Sequence, residues 1–283
     1  MRVLAFLDGT FADPDQAQIR VDDLGLLRGD GIFETILVVD GRPRELDAHL
    51  ERLAHSAKLL DLPQPHRGDW EQLVRQVLSQ WRGGNEIALK LVYTRGFEGD
   101  PEGKPTGFAL AQEIDAKIIK QRSQGVKAIT LDRGIDDGLA RRAPWLLLGA
   151  KSLSYAINMA AVREASRRGA DDVIFTTPDG QVLEGPTSTV VVARDRTLFT
   201  PPTSLGILPG TTQARLFQGV NKAGWATKVE PLRVADLYSA DAVFLASSVR
   251  KVTQVTTLDG QALPEATDLR AEVTQAYESE YVL

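Results

Sequence analysis

"IFETILVVDGRPREL", residues 32–46, is the stretch from which the fold is read. A run of aliphatic and β-branched residues reaches Asp40-Gly41 and is followed by a second short extended stretch. Asp-Gly accepts the positive φ angles of a tight hairpin turn, so two adjacent antiparallel strands are expected. "RVLAFLDGTFADP" (2–14) repeats the arrangement about Asp8-Gly9. Hairpins in this number argue for antiparallel sheets and against the strict strand–helix–strand alternation of a doubly wound parallel sheet.

Working outward, "DAHLERLAHSAKLLDL" (47–62) places Leu50, Leu53, Ala57 and Leu60 at helical spacing, with Asp47 able to cap the start. A second amphipathic helix is expected over 68–82, stopped by Gly83-Gly84. "NEIALKLVYTRG" (85–96) and "TGFALAQEI" (106–114) read as strands around a loop bearing Gly and Pro. Together these make a small α+β domain, 1–114. The polar segment 115–125 reads as a connector, and 126–283 as a larger domain. That domain opens with a strand at 126–131 and a helix over 152–168. Strands follow at 172–177, 181–184, 188–193 and 197–200, then a helix in "TTQARLFQGVNKAG" (211–224). A strand–turn–strand in "DAVFLASSVRKVTQV" (241–255) precedes a last helix at 267–279. The fold class expected is α+β, two domains with mixed, largely antiparallel sheets and flanking helices.

Composition removes several function classes. The 283 residues carry 33 basic and 38 acidic side chains, a net charge of -5, so the basic surplus that nonspecific nucleic-acid binding needs is missing. There is no cysteine, which excludes disulfides, thiolate nucleophiles and zinc–thiolate sites. No apolar run approaches the roughly 20 residues of a spanning helix, and the first ten residues turn polar too soon for a signal peptide. A cytoplasmic protein that does not bind membranes is expected. Of three histidines, only His49 and His55 are close, and six residues apart they fall on different faces of one helix. No metal site is expected.

The chemistry gathers around "LLLGAKSLSYA" (146–156). An aliphatic lead-in ends at Lys151 with no charged neighbour in sequence. Most lysines are exposed, but one held in apolar surroundings loses charge more readily and offers a neutral amine for a Schiff base or proton transfer. Glu184 in "VLEGPTSTVVV" precedes Gly185-Pro186 and so sits at a turn. In "GILPGTTQARLF", Gly210, Thr211 and Thr212 open a helix whose N-terminal amides and hydroxyls suit an anion. Ser247 and Ser248 end a strand in "FLASSVR". Arg52 in "HLERL" is the other candidate for a phosphate partner.

Taken together, these stretches resemble the fold-type IV pyridoxal-phosphate enzymes, the class IV aminotransferases. "LLRGDGIFET" (26–35) is similar to the family's Gly-Asp-Gly-x-Phe/Tyr-Glu signature, and "HLERL" to His-x-x-Arg-Leu. "GAKSLSY" is similar to its lysine segment, "VLEGPTST" to its Glu-Gly segment and "ILPGTT" to its phosphate loop, all in family order. The resemblance implies pyridoxal 5'-phosphate bound between the two domains and held covalently by Lys151, which would also shuttle the substrate proton. It implies that Glu184 faces the pyridine nitrogen and keeps the ring an electron sink. Arg52, Gly210, Thr211, Thr212, Ser247 and Ser248 would hold the phosphate. Leu208 would pack on the ring face, Tyr155 would bond the phenolic oxygen, and the Gly29-Asp30-Gly31 turn would place Phe33 at the pocket. A homodimer completing the site is implied as well.

The choice of reaction rests on carboxylate binding. The Arg-x-His typical of D-amino acid transaminases is absent from the loop "FEGDPEGKP" (97–105). Arg28, just before Gly29, and Lys90, which shares a strand face with Val92 and Thr94, are the cations that could substitute. The reading leans to a transaminase acting on D-amino acids and 2-oxo acids, with aminodeoxychorismate lyase, which forms 4-aminobenzoate and pyruvate, as the alternative.

Overall fold

The computed structural model describes residues 1–100 and 102–281. The chain forms two compact units, Met1–Asp115 with Ala150–Tyr155, and Ala116–Gly149 with Ala156–Leu283.

The first unit holds β1 (Arg2–Phe6), β2 (Phe11–Ala12), α1 (Leu24–Arg28), β3 (Gly31–Val39), β4 (Arg42–Pro43), α2 (Leu46–Leu59), α3 (Arg67–Gln80), β5 (Glu86–Thr94) and β6 (Thr106–Glu113). The strands form one antiparallel sheet in the order β2-β1-β6-β5-β3-β4. Both hairpins expected from Asp8-Gly9 and Asp40-Gly41 are present. Along β3 the period of two puts Ile32, Glu34, Ile36 and Val38 on the buried side facing α2, while Phe33 and Thr35 stay half-buried on the other. Apolar side chains of the helices, Leu53, Trp70, Leu73 and Val77, fill the core with Leu89 and Leu91 of β5. Asp47 does not cap α2. The cap position is Glu45, in the left-handed region at φ 47, and Asp47 lies in the first turn, where its charge suits the helix dipole.

The second unit holds α4 (Ala116–Gln124), β7 (Val126–Asp132), α5 (Leu139–Arg142), α6 (Ala156–Arg167), β8 (Asp172–Thr176), β9 (Thr189–Arg194), β10 (Thr197–Thr200), α7 (Thr211–Lys222), β11 (Ala226–Val229), α8 (Val234–Tyr238), β12 (Ala242–Ser247), β13 (Lys251–Leu258), β14 (Gln261–Ala262) and α9 (Thr267–Ser279). Its sheet runs β11-β10-β9-β12-β13-β7-β8, with β14 paired to β13. The pairs β10–β11, β13–β7 and β7–β8 are parallel and the rest antiparallel. β9 is buried on both faces, which is why its run is continuously apolar. Val190 and Val192 pack with Leu245, Val255 and Leu237, whereas Val191 and Ala193 pack under α7 and α9 with Leu216, Val220 and Tyr277.

The sequence reading does not include α1, α5, β11 or α8, and three of its own segments differ in the structure. The polar stretch 115–125 contains α4, whose Arg122 donates from Nε to the Val249 carbonyl at 3.0 Å. Residues 181–184 form only bridges, Thr176 to Val182 and Gln181 to Arg233. The helix expected from 152 begins at Ala156, and Ala150–Tyr155 group with the first unit. The cause is edge pairing. Phe33 N donates to the Lys151 carbonyl at 3.0 Å and Leu153 N to the Gly31 carbonyl at 2.8 Å, so the stretch lies along the N-terminal half of β3, beyond the reach of β4. Among the described residues no helix is long and apolar enough to cross a membrane.

Candidate active site

In the first unit the site begins with how Lys151 is held. Gly149, at φ +85, turns the chain. Lys151 then donates its own amide to Ser56 Oγ at 3.1 Å, while its carbonyl accepts from Phe33. Both backbone groups are thus fixed on α2 and β3. The side chain lies over the Phe33 ring, Nζ 4.5 Å from the centroid. Tyr155 meets that ring edge-on, with centroids 5.3 Å apart and planes at 90°. Gly29 permits this approach. At φ +71 a Cβ there would come within 2.6 Å of Ser154 Oγ, so a side chain at 29 would push the lysine segment off the strand. Three of the residues singled out in the sequence, Phe33, Lys151 and Tyr155, therefore form one cluster.

On the other side of β3 lies a buried ionic group. Glu34 is wholly buried and accepts from Arg52 Nε and Nη2, both at 2.7 Å, while His49 Nδ1 lies 2.7 Å from its second oxygen. Burial alone would raise the Glu34 carboxyl, but the Arg52 charge and its paired hydrogen bonds, with His49 adding to them, hold it well below the usual carboxylate range. Burial lowers His49 from its ordinary value; Glu34 opposes this, and the Arg52 and Lys151 charges reinforce it. With Glu34 ionised and His49 neutral, the imidazole must carry its proton on Nδ1 and donate it to the carboxylate. The sequence marks Arg52 as a phosphate ligand, whereas the part played by Glu34 and His49 in holding it emerges only in the structure. The signal was there: Glu34 sits two residues from both Ile32 and Ile36, on the face that must be buried.

Lys90 is half-buried in the middle of β5, opposite Thr35 of β3, with Val92 opposite Phe33. Lys90 is thus on the same sheet face as Phe33. Arg28 is exposed at the C-terminal end of α1.

In the second unit Glu184 is fixed at both oxygens. Oε2 accepts the Leu208 amide at 3.0 Å, and Oε1 meets Arg133 Nη1 at 3.1 Å. Arg133 follows the end of β7, and its guanidinium also lies 5.4 Å from the Phe175 ring centroid. Sequence reasoning missed Arg133, since nothing local marks a long-range partner. Gly210 precedes α7, and Thr211 and Thr212 are its first two residues. A Cβ at Gly210 would meet Thr189 Oγ1 at 2.2 Å, so the loop can close on β9 only with glycine there. Neither threonine is the cap residue. Thr212 Oγ1 is buried without a hydrogen-bond partner, beside helix amides that lack intrahelical acceptors. An orphaned hydroxyl at a helix N-terminus fits a bound anion. Ser247 and Ser248, half-buried, lead into the turn whose Val249 carbonyl Arg122 holds.

Taken unit by unit, the donors suit parts of pyridoxal phosphate: in the first unit an amine for the carbonyl carbon, and in the second a carboxylate for the ring nitrogen and hydroxyls with helix amides for the phosphate. Among the described residues no cluster of His, Asp and Glu side chains suited to a metal ion is found.

Comparison with known proteins bears on the same chemistry. Residues 31–258 match the family described as amino-transferase class IV. A bifunctional aminodeoxychorismate lyase / D-amino acid transaminase of Mycobacterium tuberculosis is 45% identical over 267 residues, 91% of this chain and 92% of that protein. Two solved structures are closely similar. The PLP-bound form of a hypothetical aminotransferase from Mycobacterium tuberculosis has a TM-score of 0.94 at 43% identity, covering 99% of this chain and 100% of the other. A fold IV transaminase from Curtobacterium pusillum has a TM-score of 0.92 at 44% identity, covering 96% and 97%.

Proposed function

The chain belongs to the class IV aminotransferases, and from that premise we propose that it is a pyridoxal-phosphate-dependent transaminase moving an amino group between a D-amino acid and a 2-oxo acid. The observation that carries this is Lys151, its backbone fixed on β3 and α2 and its amine directed over Phe33. When bound, the cofactor supplies an electron sink that makes the substrate α-proton removable.

The protein's own residues do the rest. Lys151 Nζ would hold the cofactor covalently and would move the proton between the substrate α-carbon and the C4′ carbon of the cofactor. Glu184, held by Leu208 N and Arg133, would accept a hydrogen bond from the protonated ring nitrogen and stabilise its charge. Arg52, Gly210, Thr211, Thr212, Ser247 and Ser248 would bind the phosphate, Leu208 would cover the ring, and Tyr155 would bond the phenolic oxygen. Phe33 would close the lysine's surroundings against water. Lys90, sharing a face with Phe33, would bind a substrate carboxylate, and Arg28 would assist. The reading extends to a homodimer in the cytoplasm.

A second reading, aminodeoxychorismate lyase activity on the same residues, is favoured by the relative that carries both names. It needs the same amine and ring-nitrogen carboxylate, and its dicarboxylate substrate would use both cations.

The test is incubation with D-alanine and 2-oxoglutarate. Pyruvate should form, and Lys151→Ala should abolish both this activity and the visible absorption band that depends on the covalent link to Lys151. No pyruvate sinks the transaminase reading. Appearance of 4-aminobenzoate from aminodeoxychorismate reports the second activity independently.

A further inference from the structure

Beneath the lysine, the Glu34–His49–Arg52 group takes no part in the chemistry above except through Arg52. A carboxylate and a guanidinium in a wholly buried place are costly, and apolar residues of similar volume often serve stability as well or better. Stability alone is therefore a weak reason for such a group, and its geometry suggests another.

Glu34 grips the Nε/Nη2 edge of Arg52 with two parallel bonds of 2.7 Å. That fork fixes both the position and the plane of a side chain that otherwise has many rotamers open to it. In a planar guanidinium the Nη1 edge then faces away from the carboxylate. His49, 2.7 Å from the second Glu34 oxygen, holds the carboxylate in turn. His49 and Arg52 stand one helical turn apart on α2, and Glu34 comes from β3, so the group also ties the helix to the strand that carries Phe33.

We propose that Glu34 and His49 are positioning residues for Arg52: they set its guanidinium plane in advance so that its outer edge meets the phosphate dianion of the cofactor. The proposal rests on the reading of Arg52 as a phosphate ligand. Because Glu34 is ionised and His49 neutral, the group as a whole carries no net charge. Arg52 then contributes direction more than excess charge, and the phosphate draws its remaining stabilisation from other donors. Removing the fork costs phosphate recognition while leaving the amine and the ring contacts in place.

The experiment compares equilibrium binding of pyridoxal 5'-phosphate and of pyridoxal, which lacks the phosphate, to cofactor-free protein. In Glu34→Gln the amide can still accept from Arg52, and His49 can switch tautomer to accept from the amide, so the group stays filled. Its affinity for pyridoxal 5'-phosphate should fall about tenfold or more, the order expected for losing one charge-assisted hydrogen bond. Its affinity for pyridoxal should change less than twofold. His49→Asn, whose amide can stand where Nδ1–H stood, should keep the preference for the phosphorylated form, and His49→Leu should lose part of it. Equal losses for both ligands in Glu34→Gln, or no loss for either, overturn the proposal, as does a His49→Leu variant indistinguishable from His49→Asn. Arg52→Gln separates the two layers. If it binds both ligands with the wild-type ratio, Arg52 is not a phosphate ligand and the underlying reading fails too. If only Arg52→Gln loses the preference, the reading stands and the positioning role falls. Should Glu34→Gln not fold, the His49 pair decides alone.

Discussion

Among its glutamate–arginine pairs each unit has one at the candidate site residues, and these two are built differently. Glu34 and Arg52 have side-chain exposures of 0% and 8%, joined by a two-pronged fork and backed by a histidine. Glu184 and Arg133 have exposures of 13% and 17%, joined by one contact of 3.1 Å, and the second Glu184 oxygen is held by a backbone amide. The first pair is saturated by protein and shut off from solvent, so it can act on a ligand only through the far edge of Arg52. The second is less buried, and its carboxylate is shared between a side chain and a backbone amide, the arrangement proposed above to receive a ligand's N–H. Two ion pairs of the same residue types thus differ in burial and bonding, and the roles proposed for them differ accordingly: one holds the scaffold and the other would meet the cofactor ring.

The largest effect expected from breaking that division is on stability. Glu34→Ala leaves the Arg52 guanidinium buried without its counter-charge, which costs about 3–5 kcal/mol. Glu184→Ala leaves a partly solvated guanidinium and one amide, costing about 1–2 kcal/mol. Urea denaturation of the two variants against wild type measures both, and equal midpoints would erase the distinction.

Catalysis should rank the pairs in the opposite order. Glu184→Ala removes the carboxylate proposed to stabilise ring charge and should lower kcat by about 10²–10³-fold, the scale for losing one preorganised electrostatic partner. Raising the cofactor concentration should not restore it. The Glu34→Gln defect, a defect of cofactor affinity, should recover as cofactor is added. A Glu184→Ala rate that also recovers with cofactor would place both pairs in the same role.

The difference between the pairs also marks what could be read from sequence. Glu34 was legible as a buried residue, because alternation along β3 forces it in with Ile32 and Ile36. Its partners were equally visible in "HLERL", yet joining them required knowing that α2 lies on that face of the sheet. The hairpins and the last helix, 267–279, followed from local turn chemistry and periodicity, which do not depend on the rest of the chain. Arg133 and the non-helical course of Ser152–Tyr155 did not. The first reaches Glu184 across 51 residues, and the second is set by free backbone groups on the edge of β3, whereas local pattern after Lys151 favoured a helix. Local signals marked the hairpins and the long helices, and pairing between distant segments set the course of 152–155 and the partners of the site residues.

The smallest effect, and the one that isolates a single carboxylate, is the pH dependence of the stability difference between wild type and Glu34→Gln. In the folded state Glu34 is held below its ordinary value of 4.5, whereas the unfolded chain titrates near that value. Between the two, falling pH puts a proton on the unfolded state and not on the native one, so the unfolded state binds more protons and stability drops with pH. The stabilisation from Glu34 is therefore fully present above about pH 4.5 and is lost as pH falls below it, by at most about 1.4 kcal/mol per pH unit. His49, also lowered from its ordinary 6.5, adds a loss that begins at higher pH, as the unfolded imidazole takes up a proton the buried one refuses. That loss is common to wild type and variant and largely cancels in their difference, as do the contributions of carboxylates elsewhere in the chain. Denaturation midpoints at pH 7, 5.5, 4.5 and 3.5 should show a constant gap between wild type and Glu34→Gln down to about 4.5 and a narrowing gap below. A gap that narrows already between pH 7 and 5.5 would mean that the titrating member of the group is His49, and that the fork on Arg52 is not held by a permanently ionised Glu34.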